Sequence, residues 1–168
     1  MPRNPAQAFG FLLGFWLALW LWPGSVEIAR AQAEPFGELE ASLWQAVNAA
    51  RARHHRIPLE RRPDLDRVAR AHSEDMARRQ YLAHESPEGV DPLDRIQSGA
   101  SSGFTLAAEN VGTTNRPDPN SEILRSWLAS PVHRGNLLAP SFNATGVGIS
   151  RAADGSLLYT QVYVTYPR

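Results

Sequence analysis

The sequence contains no cysteine and no lysine. Without cysteine, the chain can form no disulfide and carry no lipid-modified cysteine, so a hydrophobic core has to hold the fold together. The 17 basic and 17 acidic residues give a formal net charge of +0 at pH 7, and this balance lacks the excess of positive charge that is typical of nucleic-acid-binding proteins. We therefore expect no nucleic-acid partner.

Long apolar runs are also scarce, and the one that exists lies close to the N-terminus. It extends from Phe9 to Trp22, follows Arg3 and precedes Ala31-Gln32-Ala33, which is the pattern of a cleaved signal peptide. The run is shorter than the roughly 20 residues of a membrane span, and an uncleaved anchor is the alternative. We predict a signal peptide over residues 1–33 and one domain over residues 34–168. The mature protein is then secreted or periplasmic, without a membrane span.

Helical spacing dominates the chain after this leader. Apolar residues recur at intervals of three and four from Pro35 onwards, and again from Pro63 to Met76, where His72 falls on the apolar face. The first of these helices ends in the basic run from Arg51 to Arg56. That run is either a solvated last turn, favoured by the helix dipole, or part of an anion-binding patch.

Two further helix starts are indicated in the second half of the chain. Ser130 occupies an N-cap position before Pro131, and this places His133 in the first turn of a helix. Asn120 or Ser121 is expected to cap the helix before it.

The C-terminal segment has the two-residue period of a strand. From Leu157 to Tyr166 one face carries Leu158, Thr160, Val162 and Val164, and the other carries Leu157, Tyr159, Gln161 and Tyr163. Because both faces are largely apolar, this strand is predicted to be central and covered on both sides. Helices followed by a covered antiparallel sheet indicate an α+β fold, a three-layer α-β-α sandwich.

Three polar residues stand out against this apolar background. His84 follows a predicted helix, Glu109 precedes Asn110 within a strand-like apolar run, and His133 begins a helix. A buried glutamate has to be paired, metal-bound or neutralised. The alternatives are a histidine that caps a helix, a glutamate exposed in a loop and a packed core histidine. Residue spacing alone does not choose among them.

The order of the motifs resembles one known family. The segments are Tyr81-Leu82-Ala83-His84-Glu85-Ser86-Pro87, Glu109-Asn110-Val111, and Trp127-Leu128-Ala129-Ser130-Pro131-Val132-His133-Arg134. From Leu39 to Tyr166 the chain is similar to the CAP superfamily (cysteine-rich secretory proteins, antigen 5 and pathogenesis-related proteins, with their SCP-like domain), in its bacterial secreted branch. The resemblance implies an α-β-α sandwich with a central cleft.

The resemblance also implies which residues face that cleft. His84, His133 and Glu109 match two histidines and one glutamate of the family's site, whereas the position of its second glutamate is Ser130 here. Two imidazoles and a carboxylate suit zinc or another divalent cation. A hydrogen-bonded cluster without metal is the alternative. Tyr81, Asn110 and Gln161 are expected around the cleft.

Three functions follow as hypotheses from these residues, with a lipidic ligand implied by the resemblance alone. The first is a monomeric extracytoplasmic binding module whose cleft takes a divalent cation and a small, lipidic or cell-envelope ligand. The second is a metal-dependent hydrolase acting on peptides or cell-wall material, in which a metal-bound water of pKa about 7 is the nucleophile. The third is a structural or adhesion module of the envelope. A shared fold does not choose among them, and whether the protein is an enzyme stays open.

Overall fold

The computed structural model describes residues 36–100 and 102–167, which contain five helices and four strands. The helices are α1 (Gly37–Arg53), α2 (Pro63–Arg79), α3 (Pro92–Gly99), α4 (Pro119–Ala129) and α5 (Pro131–Leu138). The strands are β1 (Glu60–Arg61), β2 (Leu106–Thr114), β3 (Ala144–Arg151) and β4 (Leu157–Thr165). The predicted signal peptide, residues 1–33, lies outside the described residues.

The strands form one sheet in the order β1-β3-β4-β2. β4 pairs antiparallel with both β2 and β3, so the predicted central strand and its antiparallel neighbours are confirmed. β1 pairs parallel with β3, which makes the sheet mixed rather than purely antiparallel. A strand of two residues has no periodicity, so the sequence pattern could not reveal this edge.

The two predicted faces of β4 contact different helices. Tyr159 and Tyr163 belong to a core cluster built with α1, α4 and α5, whereas Val162 and Val164 pack with residues of α2 and α3. Helices therefore cover both sides of the sheet, and the predicted three-layer sandwich is confirmed. Among the helices of the described residues, none combines the length and the apolar character of a membrane span.

The helix starts follow the predicted positions only in part. α5 begins at Pro131 with Ser130 as its N-cap residue, but the Ser130 side chain makes no capping hydrogen bond. The cap of α4 was predicted wrongly, because Asp118 accepts from the Ser121 amide. Asn120 is buried instead, and its amide group bonds to the carbonyl of Leu39. The local sequence pattern favoured Asn120 as a cap, but its burial and its bond to another helix give it a different role.

Arg51 does not lie in a solvated turn or an anion-binding patch. Its side chain is fully buried and donates to four backbone carbonyls, those of Ile57, Leu137, Ala139 and Phe142, at 2.7–3.3 Å. Burial lowers the pKa of the guanidinium from its ordinary value. Because Leu137 and Ala139 lie at the C-terminal end of α5, Arg51 ties α1 to the helix that carries His133.

A second buried charge, Glu40 of α1, joins three parts of the sandwich. One carboxylate oxygen accepts from Arg70 Nε and from the Ile149 amide, and the other accepts from Arg61 and Arg70 at 3.2 and 2.6 Å. The carboxylate therefore links α1 to α2, β1 and β3. A buried charge with this many donors is compensated where it lies.

Candidate functional site

His84 and Glu109 are brought together by the fold although they are far apart in the sequence. His84 Nδ1 donates to Glu109 Oε1 at 2.9 Å. The glutamate side chain is 1% exposed, whereas the imidazole is 48% exposed. Because Nδ1 is held by the carboxylate, the other ring nitrogen, Nε2, is left to meet a ligand.

Arg95 of α3 completes this pair, and sequence reasoning missed it. Its Nη2 donates to Glu109 Oε2 at 3.0 Å and to the His84 carbonyl at 2.6 Å, and its Nη1 donates to the Val90 carbonyl at 2.8 Å. The guanidinium neutralises the buried carboxylate and bonds to two carbonyls of the loop between α2 and α3, which contains His84. A single arginine in a short helix has no sequence pattern that could have revealed this role.

His72 lies behind the same carboxylate. Its Nε2 donates to the Ala83 carbonyl at 2.9 Å and lies 3.9 Å from Glu109 Oε1. Burial lowers the pKa of His72, and the nearby Glu109 opposes that effect. His72 lies on the apolar face of α2, as its spacing predicted, and it is buried and hydrogen-bonded there. Since Ala83 precedes His84, the bond also fixes the backbone from which the cleft imidazole projects.

His133 approaches the site from the opposite helix. Burial lowers its pKa, and the nearby charge of His84 lowers it further. Asn110 holds the helix in place, because its Nδ2 donates to the His133 carbonyl at 3.0 Å. His133 is thus positioned at the first turn of α5, as its place after Pro131 indicated.

The predicted metal ligands do not form a metal centre in this arrangement. Within residues 36–100 and 102–167 no three His, Cys, Asp or Glu side chains lie close enough together to hold a metal ion. One oxygen of Glu109 is engaged by His84 and the other by Arg95. Each carboxylate oxygen keeps a further acceptor position beside its one donor, so metal binding stays a prediction.

Asn110 and Gln161 lie beneath the cleft rather than in its wall. Both are fully buried and are linked through Tyr163, whose hydroxyl accepts from Asn110 at 3.1 Å and donates to Gln161 at 2.8 Å. Burial raises the pKa of the Tyr163 hydroxyl strongly. Asn136 of α5 joins the same network through Asn110 Oδ1 at 3.0 Å. These amides position α5 against β2.

Tyr81 lies in a neighbouring depression beside Met76 and Leu82. Its hydroxyl donates to Asp75 at 2.7 Å. Burial and the hydrogen bond to Asp75 raise the pKa of Tyr81 to about 12. The ring meets His72 edge-on at 6.1 Å, so Tyr81 contacts the site from behind. The structure therefore does not bring it to the cleft that His84 lines.

The cleft itself has a volume of about 290 Å³. β2 forms its floor, the start of α3 forms one wall and α5 forms the other. Two apolar side chains on these walls face solvent, Leu93 at 44% and Val132 at 71% exposure. The lining residues are His84, Asp91, Pro92, Leu93, Ala107, Ala108, Glu109, Val132 and Asn136. A polar end and apolar walls are the usual composition of a ligand site.

The fold and the cleft define a class, an α-β-α sandwich domain with a histidine–glutamate pair beside the edge of its sheet. Residues 44–165 match the sequence model of the CAP family, described as the cysteine-rich secretory protein family. The chain belongs to this family, as the order of its motifs indicated.

Two bacterial proteins, one of known sequence and one of known structure, are similar to the chain over about three quarters of its length. It is 30% identical over 125 residues to the uncharacterized protein YkwD of Bacillus subtilis, covering 74% of this chain and 46% of YkwD. A crystal structure of an extracellular protein containing a SCP domain from Bacillus anthracis is 33% identical with a TM-score of 0.66, covering 75% of this chain and 40% of that one. The chain thus spans less than half the length of these relatives.

A more distant structure has the same fold. An outer surface protein from Borrelia burgdorferi has a TM-score of 0.72 at 18% identity, covering 80% of this chain and 97% of that one. At this identity the likeness shows the fold alone.

Proposed function

We propose that this protein is an extracytoplasmic binding module that holds a small ligand in the cleft beside His84. The ligand's polar part meets the free imidazole nitrogen, and its apolar part lies against Leu93 and Val132. One observation carries the proposal: a half-exposed imidazole is held by a fully buried carboxylate at the end of an apolar cleft. Such pre-orientation lowers the entropy lost on binding.

Two observations support the location outside the cytoplasm. The run from Phe9 to Trp22 and the Ala31-Gln32-Ala33 sequence have the form of a signal peptide. The Bacillus anthracis relative is described as an extracellular protein. We take the monomer as the working unit.

Ligand retention tests the binding module directly. The full chain is incubated with a cell-envelope extract and examined by native mass spectrometry. We expect the unchanged protein to retain a small molecule. Val132→Arg should abolish its binding, because a charged side chain then replaces an apolar one on the wall of the cleft. His84→Ala should weaken its binding by about tenfold, the worth of one hydrogen bond to a polar group.

His54→Ala is the matched control, because His54 is an exposed histidine at the end of α1. It should retain the ligand as the unchanged protein does. If the unchanged protein, Val132→Arg, His84→Ala and His54→Ala all retain the same molecule equally well, that molecule binds outside the cleft and the proposal is contradicted.

A divalent cation is the second candidate ligand, because burial and the nearby His84 lower the pKa of His133 and so favour the neutral imidazole that binds a metal. Such a cation would use both imidazoles and one oxygen of Glu109, and it would supply a Lewis acid. Arg95 opposes it, since the guanidinium already neutralises the carboxylate that the two histidines would share.

Zinc titration by calorimetry separates these cases. If zinc binds here, His84→Ala combined with His133→Ala should abolish the heat of binding while the circular dichroism spectrum stays unchanged. Arg95→Met should raise the zinc affinity by about tenfold, because a competing positive charge is removed. Zinc binding that none of these substitutions changes would exclude this site.

Hydrolysis has less support from the geometry. In the part of the chain that the structure describes, the residues that line the cleft include no Ser, Thr or Cys side chain. The hydrolase hypothesis therefore depends on a metal-bound water, and so on the same cation that Arg95 opposes. The binding module remains the function that the site favours.

A further inference from the structure

β2 forms one edge of the sheet, and part of its backbone faces the cleft rather than another strand. The carbonyls of Glu109 and Val111 accept from Asn136 Nδ2 and Trp127 Nε1, at 3.1 and 3.0 Å. These two carbonyls therefore point away from β4. Because backbone groups alternate along an antiparallel strand, the N–H and C=O of Ala107 point the same way.

The pairing on the far side of the sheet leads to the same assignment. The Arg62 amide donates to the Thr145 carbonyl, so the backbone N–H and C=O of Thr145 point towards β1. The same groups of the next residue, Gly146, therefore point towards β4, where Gly146 pairs with Val162. The backbone groups of Tyr163, the neighbour of Val162, then point towards β2, where Tyr163 pairs with Ala108. Ala107 is consequently directed outward, as inferred above.

Ala107 differs from the residues that follow it on β2. Side chains of α4 and α5 bond to the outward carbonyls of Val111 and Glu109, whereas the Ala107 amide and carbonyl have no hydrogen-bond partner among residues 36–100 and 102–167. Ala107 also lines the cleft. An open donor and acceptor on a strand edge are the groups that another extended chain pairs with.

The walls of the cleft match the side chains of such an added strand. Successive side chains of a strand point to opposite faces of the sheet. α3, with the exposed Leu93, lies on the face of Glu109, and α5, with the exposed Val132, lies on the face of Asn110. One side chain would meet Leu93 and the next would meet Val132.

We infer that the cleft binds an extended peptide as a fifth strand of the sheet, antiparallel or parallel to β2. Its backbone pairs with Ala107, and its apolar side chains lie alternately on Leu93 and Val132. This inference rests on the proposed function of the cleft and names the class of ligand. Main-chain hydrogen bonds then provide affinity, and the two walls provide specificity.

Other occupants match the cleft less well. A lipid chain offers no donor and acceptor for the Ala107 backbone. A sheet edge from a second folded copy would collide with α3 and α5, which lie on the two faces of the sheet beside Ala107. A single extended chain fits between these walls and satisfies the open backbone groups.

The test begins with peptides selected from a displayed library of random decapeptides against the full chain. Their affinities are measured by calorimetry on three proteins: the unchanged chain, Ala107→Pro and Thr113→Pro. Proline at an outward position removes a donor without removing a bond to β4. Thr113 is the matched control, because it is an exposed outward position on β2 beyond the cleft.

We expect Ala107→Pro to weaken binding by about tenfold or more and Thr113→Pro to leave it unchanged. N-methylation of alternate peptide residues should have the same effect on the unchanged protein, which keeps the test valid if Ala107→Pro misfolds. The Ala107 amide should also gain protection from hydrogen exchange when the peptide is bound.

The outcomes separate this inference from the proposed function. If N-methylation and Ala107→Pro leave binding unchanged while Val132→Asp abolishes it, the cleft binds its ligand without strand pairing, and only the inference is wrong. If Val132→Asp also has no effect, or if no peptide is selected, peptide recognition at this edge is excluded. Peptide-induced dimers in sedimentation would indicate pairing between copies and would likewise overturn it.

Discussion

Gly148→Ala should lower the free energy of unfolding by about 3 kcal/mol or more, the cost of overpacking against atoms that cannot rotate away. A Cβ added at Gly148 would lie 2.0 Å from the Arg70 amide nitrogen and 2.2 Å from the Ala69 carbonyl carbon. Both atoms belong to the backbone of α2. The helix would have to move off β3, and urea unfolding followed by tryptophan fluorescence measures the loss.

Gly135→Ala is the matched control for this prediction. Gly135 lies within α5, and an added Cβ would meet no atom within 4 Å apart from its chain neighbours and the backbone of its own helix. Alanine is the better helix former by about 1 kcal/mol, so this variant should be at least as stable as the unchanged protein. Equal destabilisation by both substitutions would show that the contact between α2 and β3 is not the cause.

Arg51→Met should cost about 4 kcal/mol of stability, because it leaves several buried carbonyls without a donor. Methionine keeps much of the side-chain volume, so the loss reports the hydrogen bonds to Ile57, Leu137, Ala139 and Phe142 rather than a cavity. Urea unfolding monitored by circular dichroism is the measurement.

Arg53→Met provides the comparison, because Arg53 is an exposed arginine on the same turn of α1. It should change stability by less than about 0.5 kcal/mol. A small effect of Arg51→Met would contradict this prediction, because it would mean that water donates to the carbonyls at the end of α5 in place of the guanidinium. Any folded Arg51→Met protein should also bind cleft ligands less tightly, since α5 carries Val132 and Asn136.

The local patterns of the chain were sufficient for most of the architecture. The alternation along β4 predicted which side chains would meet each helical layer, and Pro131 predicted where α5 begins. Both signals are local, because neighbouring residues set the face of a strand and the start of a helix. The motif order led to the CAP family, which the match over residues 44–165 confirms.

The site could be predicted only as a set of residues. His84, Glu109 and His133 were named from motifs, but no pattern pointed to Arg95, which neutralises Glu109, or to the bond by which His72 holds the loop before His84. These contacts join elements that are remote in the sequence. Their existence depends on how α2 and α3 pack on β2, and propensity and periodicity do not report that packing.

The sequence by itself determined the helices, the covered central strand, the absence of disulfides and the family. Each of these follows from short-range sterics, periodic burial or the presence of particular residue types. Only the tertiary structure decided that Arg51 and Glu40 are buried, that the carboxylate of Glu109 faces a guanidinium, and that the edge of β2 at Ala107 is open to the cleft. The reason is physical: the partners of a buried charge or of a strand edge lie in other elements, and folding alone brings them within hydrogen-bond distance.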